Sequence, residues 1–225
     1  MQQALDELKA ANCHEIVMLP LYPQYSAVTT GAAYDAFFKV LQQTRYIPAF
    51  RVGHAYHDPP AYIEALAQSV RNHLNTLDWT PDMILMSYHG LPVRYHKNGD
   101  PYPCHCWKTS RLLTKALGLN PDQVRTTFQS KFGREEWLTP ATDATLEELP
   151  NEGIKKLAVI TPGFAADCVE TLEEINTEGR SAFLEAGGED FTFIPCLNES
   201  TEGVDMIETL ILEMLGADVR NSKAA

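Results

Sequence analysis

The sequence predicts an α/β protein in which parallel β-sheets are flanked by helices. Segments with apolar residues at helical spacing alternate along the chain with short apolar segments, and this alternation is typical of parallel sheets covered on both faces. The short segments at 83–86 and 157–160 are continuously apolar rather than alternating, which is typical of strands buried on both sides. No internal repeat or low-complexity segment interrupts this pattern.

Composition and charge narrow the classes of function. The chain has 225 residues, 44% of them hydrophobic, which is enough for one large domain or two small ones. A net charge of −12 argues against a nucleic-acid partner, because such binding depends on Lys and Arg neutralising phosphates. The same charge is compatible with attracting cations.

Cysteine use and hydropathy predict a cytoplasmic protein. The five cysteines lack the spacing of a disulfide framework and no secretory leader is visible, so a reducing compartment is expected. No apolar run approaches the ~18 residues that a membrane-spanning helix needs. Peripheral membrane contact through a few exposed apolar side chains stays open, as does the oligomeric state.

The first third of the chain predicts three helices and two strands. Thr29 and Thr30 precede the second helix, where their hydroxyls would cap it or donate to an anion. His54 and His57 lie in a predicted loop without a partner at metal-ligand spacing, so both are expected to make loop hydrogen bonds. The predicted helices cover 1–11, 32–43 and 61–77, and the predicted strands lie within 15–23 and 46–52.

A candidate functional residue closes the strand predicted at 83–92. Ligands of open α/β sheets bind beyond the carboxyl ends of strands, and His89 stands at such an end; a histidine that is merely hydrogen-bonded there is an equal alternative. A polar loop is predicted to 106, followed by a helix over 108–117. Cys104 and Cys106 flank His105 but lack Cys-x-x-Cys spacing and a second half, which favours a structural role over a metal site.

The remaining third continues the alternation and carries one large loop aromatic. Trp137 follows the strand predicted at 124–130 and belongs either to the core or to a wall on which a ligand stacks. A frayed polar tail is predicted over 216–225. The other predicted elements are strands at 157–161 and 191–197, helices at 145–149 and 203–215, and an acidic helix that opens after 162.

The acidic helix places Glu170, Glu174 and Glu178 on one face, because an α-helix has about 3.6 residues per turn. A solvated acidic face explains such a row, since the mutual repulsion costs only about 0.2–0.5 kcal/mol per pair. Alternatively, Glu170 completes a capping box with Asp167, or a cation runs along the row. His89 and Glu170 both follow parallel-type strands, so a shared sheet edge would place them across one cleft.

Several motifs together make the chain resemble the ferrochelatases, which insert ferrous iron into a porphyrin to make haem. The motifs occur in the order of that family and cover nearly the whole chain from Ala4 to the last helix. The resemblance implies two Rossmann-like lobes of the type II chelatase fold with the porphyrin held between them, the N-terminal lobe being incomplete. The motifs are LPLYPQYS at 19–26, TTG at 29–31, SYHGLP at 87–92, GDPYP at 99–103, and the segments 128–138, 162–174 and 195–198.

The resemblance also assigns roles to individual residues. It implies that His89 binds iron or takes pyrrole protons, that Glu170 faces it, and that Glu174 and Glu178 form an acidic path for metal or protons. Imidazole suits both roles, because its pKa lies near 7 and it binds Fe²⁺. The resemblance places four further residues around the porphyrin pocket: Tyr22, Ser87, Gln129 and Trp137.

The implied substrates are Fe²⁺ and protoporphyrin IX, with protohaem as the product and no organic cofactor. Ala27 stands where some family members carry a cluster-ligating cysteine, so no iron–sulfur cluster is expected, and Cys168 stands where histidine is frequent. Coproporphyrin as the natural substrate stays open. Two other functions are kept as alternatives: a non-catalytic fragment that binds metal or porphyrin, and a cobalt chelatase of the same fold.

The resemblance finally suggests a division of the chain into lobes. Ferrochelatases have an N-terminal segment, with a strand and a lip over the porphyrin, before the helix at which this sequence begins, so residues 1–77 are expected to be a remnant of the first lobe. Residues 78–190 are expected to form the second lobe. Residues 191–218 are predicted to be a strand and a helix returning to the first lobe, and 219–225 a frayed tail.

Overall fold

The computed structural model describes residues 1–216 and contains two parallel β-sheets. The larger sheet has four strands in the order β4-β3-β5-β6, and the smaller sheet pairs β1 with β2. The predicted α/β class with parallel sheets is thereby confirmed. Most of the predicted tail lies outside the described residues. The strands are β1 (Glu15–Met18), β2 (Ala49–Val52), β3 (Met83–His89), β4 (Val124–Gln129), β5 (Lys156–Ile160) and β6 (Asp190–Ile194).

The first helix precedes β1, the last follows β6, and the others lie in the connections between successive strands, as parallel strands require. Two segments, 27–31 and 174–179, are π-helical rather than α-helical. None of the helices within residues 1–216 has the length and hydropathy needed to cross a membrane. The α-helices are α1 (Gln2–Ala10), α2 (Ala32–Gln42), α3 (Pro60–Leu74), α4 (Val93–Lys97), α5 (Tyr102–Leu117), α6 (Thr142–Glu148), α7 (Val169–Leu172), α8 (Arg180–Glu185) and α9 (Thr201–Met214).

The larger sheet is buried on both faces, which explains its continuously apolar strands. In β3, Ile84 and Met86 point into a core formed with α3, α5 and α9, whereas Met83 and Leu85 point into a second core formed with α6 and α8. Successive side chains of a strand alternate between faces, so both faces must be apolar when both are covered. The register pairs Met83 with Leu157 in β5, and His89 with Gln129 in β4.

The helix predicted to begin at Lys108 begins six residues earlier, at Tyr102, and part of the predicted polar loop forms α4. The cause is local chemistry around two prolines. Asp100 accepts a hydrogen bond from the Tyr102 backbone N–H (3.0 Å), and Pro103 is tolerated in the first turn, where no intrahelical N–H bond is needed. Cys104 and His105 therefore lie on a helix, with Cys104 exposed.

The division into lobes differs from the prediction at two places. α3 was predicted with the first lobe, but Tyr62, Leu66 and Val70 pack it into the core of the larger sheet, so that unit begins after β2. β6 does not return to the first lobe: it pairs with β5, because Phe191 and Ile194 on its opposite faces each meet an apolar core. α9 packs against α3.

The smaller sheet carries a smaller core formed with α1 and α2. Four buried residues define it: Leu5, Ile16, Phe37 and Leu41. β2 begins at Ala49, later than predicted, because Pro48 lacks the N–H that a strand interior donates. The three preceding residues of the predicted strand therefore lie outside the sheet.

Candidate functional site

His89 is the last residue of β3 and stands at the carboxyl edge of the larger sheet. Its Nδ1 lies 2.7 Å from the carbonyl oxygen of Gly90, and its own carbonyl accepts a hydrogen bond from the Tyr102 hydroxyl (2.9 Å). A carbonyl only accepts, so Nδ1 carries the proton in this contact. Nε2 of the neutral ring then keeps a lone pair, which is the form that takes a proton or binds a metal.

Gly90 allows the close packing behind His89. Its N–H donates to the Gln129 carbonyl oxygen (2.7 Å). A Cβ at this position would lie 2.7 Å from the same oxygen and 3.2 Å from the Trp137 ring. Any larger residue would therefore push β3 away from β4 and move the histidine.

Glu170 approaches from α7, which follows β5 through the loop 161–168. The predicted capping box of Asp167 and Glu170 is wrong: the box consists of Cys168 and Thr171. Asp167 instead accepts hydrogen bonds from the side chain of Asn198 (2.7 Å) and the N–H of Cys196 (3.2 Å). Glu170 is thus not needed to cap the helix, and its carboxylate is available to the site.

The charge state of Glu170 is set by its neighbours. Hydrogen bonds from the Cys168 thiol and from its own backbone N–H lower the pKa of Glu170 below its usual value; burial acts in the opposite direction, and the nearby His89 adds the smallest lowering. Burial and the adjacent carboxylate raise the pKa of Cys168. At neutral pH the site therefore contains an ionised carboxylate beside a protonated thiol, with the His89 imidazole within electrostatic reach.

Apolar side chains surround Glu170 on the exposed side of the site. Val169 is 71% exposed and Leu172 is 48% exposed, although both are large and apolar. The Phe164 ring lies 6.5 Å from the His89 ring, centroid to centroid. These three residues were not predicted to belong to the site, although apolar residues on both sides of the acid were the available signal.

The acidic helix is not the continuous α-helix that was predicted. α7 ends at Leu172, and the segment 174–179 is π-helical, with the Glu178 N–H donating to the Glu173 carbonyl oxygen (2.9 Å). The wider i→i+5 turn changes the spacing of the acidic row, and π-helical turns occur frequently at functional sites. The three acids consequently have different environments instead of one shared face.

Glu174 is fixed and Glu178 is open. The Glu174 carboxylate accepts hydrogen bonds from the N–H and hydroxyl of Ser130 (both 2.6 Å) and from the Gln129 amide (3.2 Å). Glu178 is exposed and shares with Glu174 the lining of a cavity of about 230 Å³. The exposed Glu178 is accessible to a cation from solvent, whereas hydrogen bonds hold the Glu174 carboxylate at the end of β4.

Ser87 and Gln129 were predicted to lie around the porphyrin pocket, but the structure buries both. They are 0% and 2% exposed, because polar side chains on the inward face of the strands bond to each other. The Ser87 hydroxyl donates to the Gln129 side-chain oxygen (2.9 Å), and the Gln129 amide donates to the Glu170 carbonyl oxygen (2.7 Å). Together they connect β3 to the backbone of Glu170, and Gln129 also lines the cavity beside Glu174.

Trp137 and Tyr22 have opposite environments. Trp137 is 6% exposed and packs against Phe132 with ring centroids 5.0 Å apart, so it forms a wall behind the site. Tyr22 lies in the loop after β1 and is 45% exposed, and it stays a predicted pocket residue. The same loop is attached to the larger unit, because the Ser26 hydroxyl donates to Asp100 (2.8 Å).

One of the two loop histidines forms a contact that the sequence did not predict. His57 stacks on His105 with ring centroids 3.6 Å apart, and His105 Nδ1 accepts a hydrogen bond from the Tyr25 N–H (3.2 Å). Within residues 1–216, no three His, Cys, Asp or Glu side chains are arranged to hold a metal ion. A metal at His89 and Glu170 would therefore need further ligands from its substrate or from water.

Comparison of the fold identifies the class of protein. Over 95% of this chain and 77% of the other, the structure is similar to SirB from Bacillus subtilis with Fe³⁺, with a TM-score of 0.67 and 14% identity. It is also similar to a Deinococcus radiodurans multi-domain protein described as structurally similar to chelatases, with a TM-score of 0.58, 12% identity, and 88% and 41% of the two chains covered. The fold is thus that of the chelatases.

Sequence comparison then gives the family. The model of the Ferrochelatase family matches residues 1–215, and the chain belongs to this family. It is 55% identical over 207 residues to the ferrochelatase of Agrobacterium fabrum, covering 92% of this chain and 60% of the relative. It is 52% identical over 211 residues to that of Brucella anthropi, covering 94% and 60%. The chain thus spans about 60% of the length of these relatives.

Proposed function

We propose that this chain carries the metal-insertion site of a ferrochelatase, which converts protoporphyrin IX and Fe²⁺ to protohaem. One observation carries the proposal: His89 ends β3, Glu170 lies on the helix that follows the neighbouring strand β5, and Gln129, the register partner of His89, donates to the Glu170 carbonyl oxygen (2.7 Å). Both lie within the residues that match the Ferrochelatase family. The natural ring, whether protoporphyrin or coproporphyrin, belongs to the same proposal.

His89 serves as the proton acceptor in this mechanism. Insertion of Fe²⁺ breaks two pyrrole N–H bonds and forms four Fe–N bonds, so two protons leave the ring for each metal that enters. With Nδ1 donating to the Gly90 carbonyl oxygen, the lone pair on Nε2 of His89 takes a proton from the ring and passes it to water before it takes the second. The Tyr102 hydroxyl holds the backbone carbonyl of this residue in place.

Glu170 supplies negative charge on the other side of the ring. Its ionised carboxylate replaces a water ligand of the incoming cation, which compensates for the cost of dehydration. Glu178 collects a cation or releases a proton at the surface, and Glu174 lies between the two acids. Val169, Leu172 and Phe164 provide apolar surface for the flat ring.

The proposed enzyme is further defined by its cofactor use, its partners and its cellular location. The enzyme is proposed to work in the cytoplasm without an organic cofactor or an iron–sulfur cluster. Nucleic acid is not a proposed partner, given the net charge of −12. Peripheral membrane contact would use exposed apolar side chains such as Leu21 and Val28, which are 46% and 44% exposed.

The coverage of the relatives favours a second candidate. Because the chain spans about 60% of their length, it could bind metal or porphyrin without turnover. The test adds Fe²⁺ without oxygen, or Zn²⁺, to protoporphyrin IX and the protein, and follows the absorption bands of the metalloporphyrin. An enzyme forms these bands catalytically, whereas a binding fragment quenches porphyrin fluorescence without forming them.

A matched pair of variants assigns the base. His89→Ala is expected to lower the rate of metalloporphyrin formation by roughly a hundredfold or more, as loss of an acid–base group does. His54→Ala removes an exposed loop histidine and is expected to leave the rate unchanged. Equal rates for both variants would show that His89 is not the base. Co²⁺ with a sirohydrochlorin-type ring, in the same assay, tests the cobalt alternative.

A further inference from the structure

A second concave surface lies away from His89, between α5 and β4. It encloses about 500 Å³ and shares none of its lining residues with the cavity beside Glu174. Trp107 and Leu119 form apolar walls, and Val124 lies at the base of one wall. A volume of this size falls within the range of small-molecule sites, about 300–1,000 Å³.

Trp107 gives the groove its main apolar surface. The residue is 41% exposed although it carries the largest apolar side chain, and the edge of its ring packs on Phe128 with centroids 6.3 Å apart. This contact holds the indole in one orientation while a large part of the residue stays accessible. Exposed, fixed aromatic rings are frequent where a protein binds an apolar ligand.

Two cations lie beside the indole on the same helix. Arg111 and Lys115 follow Trp107 at intervals of four residues, which places all three on one face of α5. In the part of the chain that the structure describes, neither cation forms an ion pair, whereas the nearby Lys108 pairs with Asp58. Two uncompensated positive charges border this groove in a chain of net charge −12.

Thr126 supplies an independent indication of a ligand. It lines the groove and is 5% exposed, yet its hydroxyl makes no hydrogen bond to the described residues. Its neighbour Thr127, on the other face of β4, accepts a hydrogen bond from Thr142 (2.8 Å). The hydroxyl is not among the fully buried unpaired atoms of the described residues, so it is reached from the groove and can bond a molecule bound there.

We propose that the groove binds an amphipathic carboxylate, a small molecule with an apolar body and one carboxylate end. The body would pack on Trp107 and Leu119, and the carboxylate would lie at Arg111 and Lys115, since guanidinium groups bind carboxylates with two parallel hydrogen bonds. The occupant is a small molecule rather than a membrane, because the surface is concave, with a volume of about 500 Å³ that a flat bilayer surface would leave unfilled.

Decanoate is a suitable probe, and calorimetric titration below its micelle concentration measures its affinity. We expect one site per chain, with affinity falling as salt rises. In the double variant Arg111→Gln/Lys115→Gln, decanoate is expected to bind roughly tenfold more weakly, which corresponds to the loss of about 1.4 kcal/mol. The control Arg94→Gln/Lys97→Gln removes two charges from α4 that are already paired with Glu135 and Glu136, and it should bind decanoate as the unmodified protein does.

Two further ligands and one further variant test the contributions of the apolar body and of the carboxylate individually. Acetate carries the charge without the body and 1-decanol carries the body without the charge, so both are expected to bind more weakly than decanoate. Trp107→Ala should weaken decanoate binding, and the unmodified protein should show a change in indole fluorescence. Equal decanoate affinity in the double variant and its control would overturn the proposal. So would binding of anionic vesicles that depends on Arg111 and Lys115 while decanoate shows no saturable site.

Discussion

The two sheets of this protein differ in how completely they are covered. The larger sheet has four strands, and Leu85, Leu157 and Val159 are 0% exposed in the core beneath one of its faces. The smaller sheet has two strands, and three of the four residues of β2 are exposed, among them Phe50 at 40%. Rigidity is therefore concentrated in the larger sheet.

Because of this difference, we expect the larger unit to position the reacting groups and the smaller unit to help enclose the ring. His89 and Glu170 both belong to the larger unit, so the geometry of the proposed chemistry depends on its strands and their buried polar contacts. The smaller unit contributes Tyr22, on an exposed loop. Damage to the larger sheet should therefore move the reacting groups, whereas damage to the smaller sheet should mainly change binding of the ring.

The largest expected effect is on stability, from identical substitutions in the two cores. Leu85→Ala removes a side chain that is 0% exposed in the larger sheet and is expected to cost about 3–5 kcal/mol. Leu41→Ala in the smaller core removes one that is 4% exposed and should cost about 2–3 kcal/mol, because neighbours at that surface relax more easily. Urea unfolding measures both losses of stability. An equal loss in the two variants, or a larger loss in Leu41→Ala, would contradict the inferred difference between the two sheets.

A second, smaller effect concerns Gln129. Gln129→Leu removes the side-chain donor to the Glu170 carbonyl oxygen and leaves the Ser87 hydroxyl with Thr142 as its remaining partner, so we expect a loss of about 1–3 kcal/mol and a fall in metal-insertion rate of roughly tenfold to a hundredfold. The control Gln24→Leu removes a comparably buried amide that bonds Thr109. It should cost similar stability with a smaller effect on rate. Equal loss of rate in both variants would show that Gln129 has only a structural role.

The third effect is a pH dependence of stability that comes from the stacked His57 and His105. Burial and the adjacent His105 lower the pKa of His57 from 6.5 to about 4, so in this range the unfolded chain binds more protons than the folded one. Stability should accordingly be highest above pH 6.5 and should decrease as the pH falls toward 4. The pKa of His105 is lowered as well, chiefly by burial, and acts in the same direction.

Paired variants isolate this contribution. His57→Phe keeps a ring that can stack on His105 but cannot be protonated, so its urea midpoint should fall less between about pH 7 and about pH 5. His54→Asn, in the same loop but exposed, should retain the decrease of the unmodified protein. Identical pH profiles for all three proteins would exclude the stacked pair as the source.

The smallest effect is expected on the exposed surface of the smaller unit. Tyr46 is 65% exposed, so Tyr46→Ser should change stability by no more than about 0.5 kcal/mol. Thermal unfolding checks this value. A loss of several kcal/mol would mean that the smaller unit is covered by contacts, for instance with a second copy, that a single chain does not show.

Much of the fold could be predicted because its signals are local and periodic. The buried strands β3 and β5 are apolar runs of the length expected for parallel sheets, and His89 was placed at a strand end because the predicted strand ends on polar residues and a glycine. The start of α5 could not be predicted, because it depends on the Asp100 carboxylate next to two prolines. Local propensity alone favours a loop there.

The errors at the site have a common physical cause. The π-helical segment 174–179 and the burial of Gln129 both result from Glu174 and Glu170 bonding to the end of β4, more than forty residues earlier in the chain. A helical period read from the sequence contains no information about such long-range contacts. The stacking of His57 on His105 is likewise a contact between distant segments.

The central claim is that His89 and Glu170 act as one unit across the ring. The most direct measurement is the rate of metalloporphyrin formation in His89→Ala, Glu170→Gln and the double variant. Each single substitution should lower the rate strongly, and the double variant should be little slower than the slower single one, because residues that act together are not additive. Losses that multiply in the double variant, or a single variant with the unmodified rate, would contradict the account.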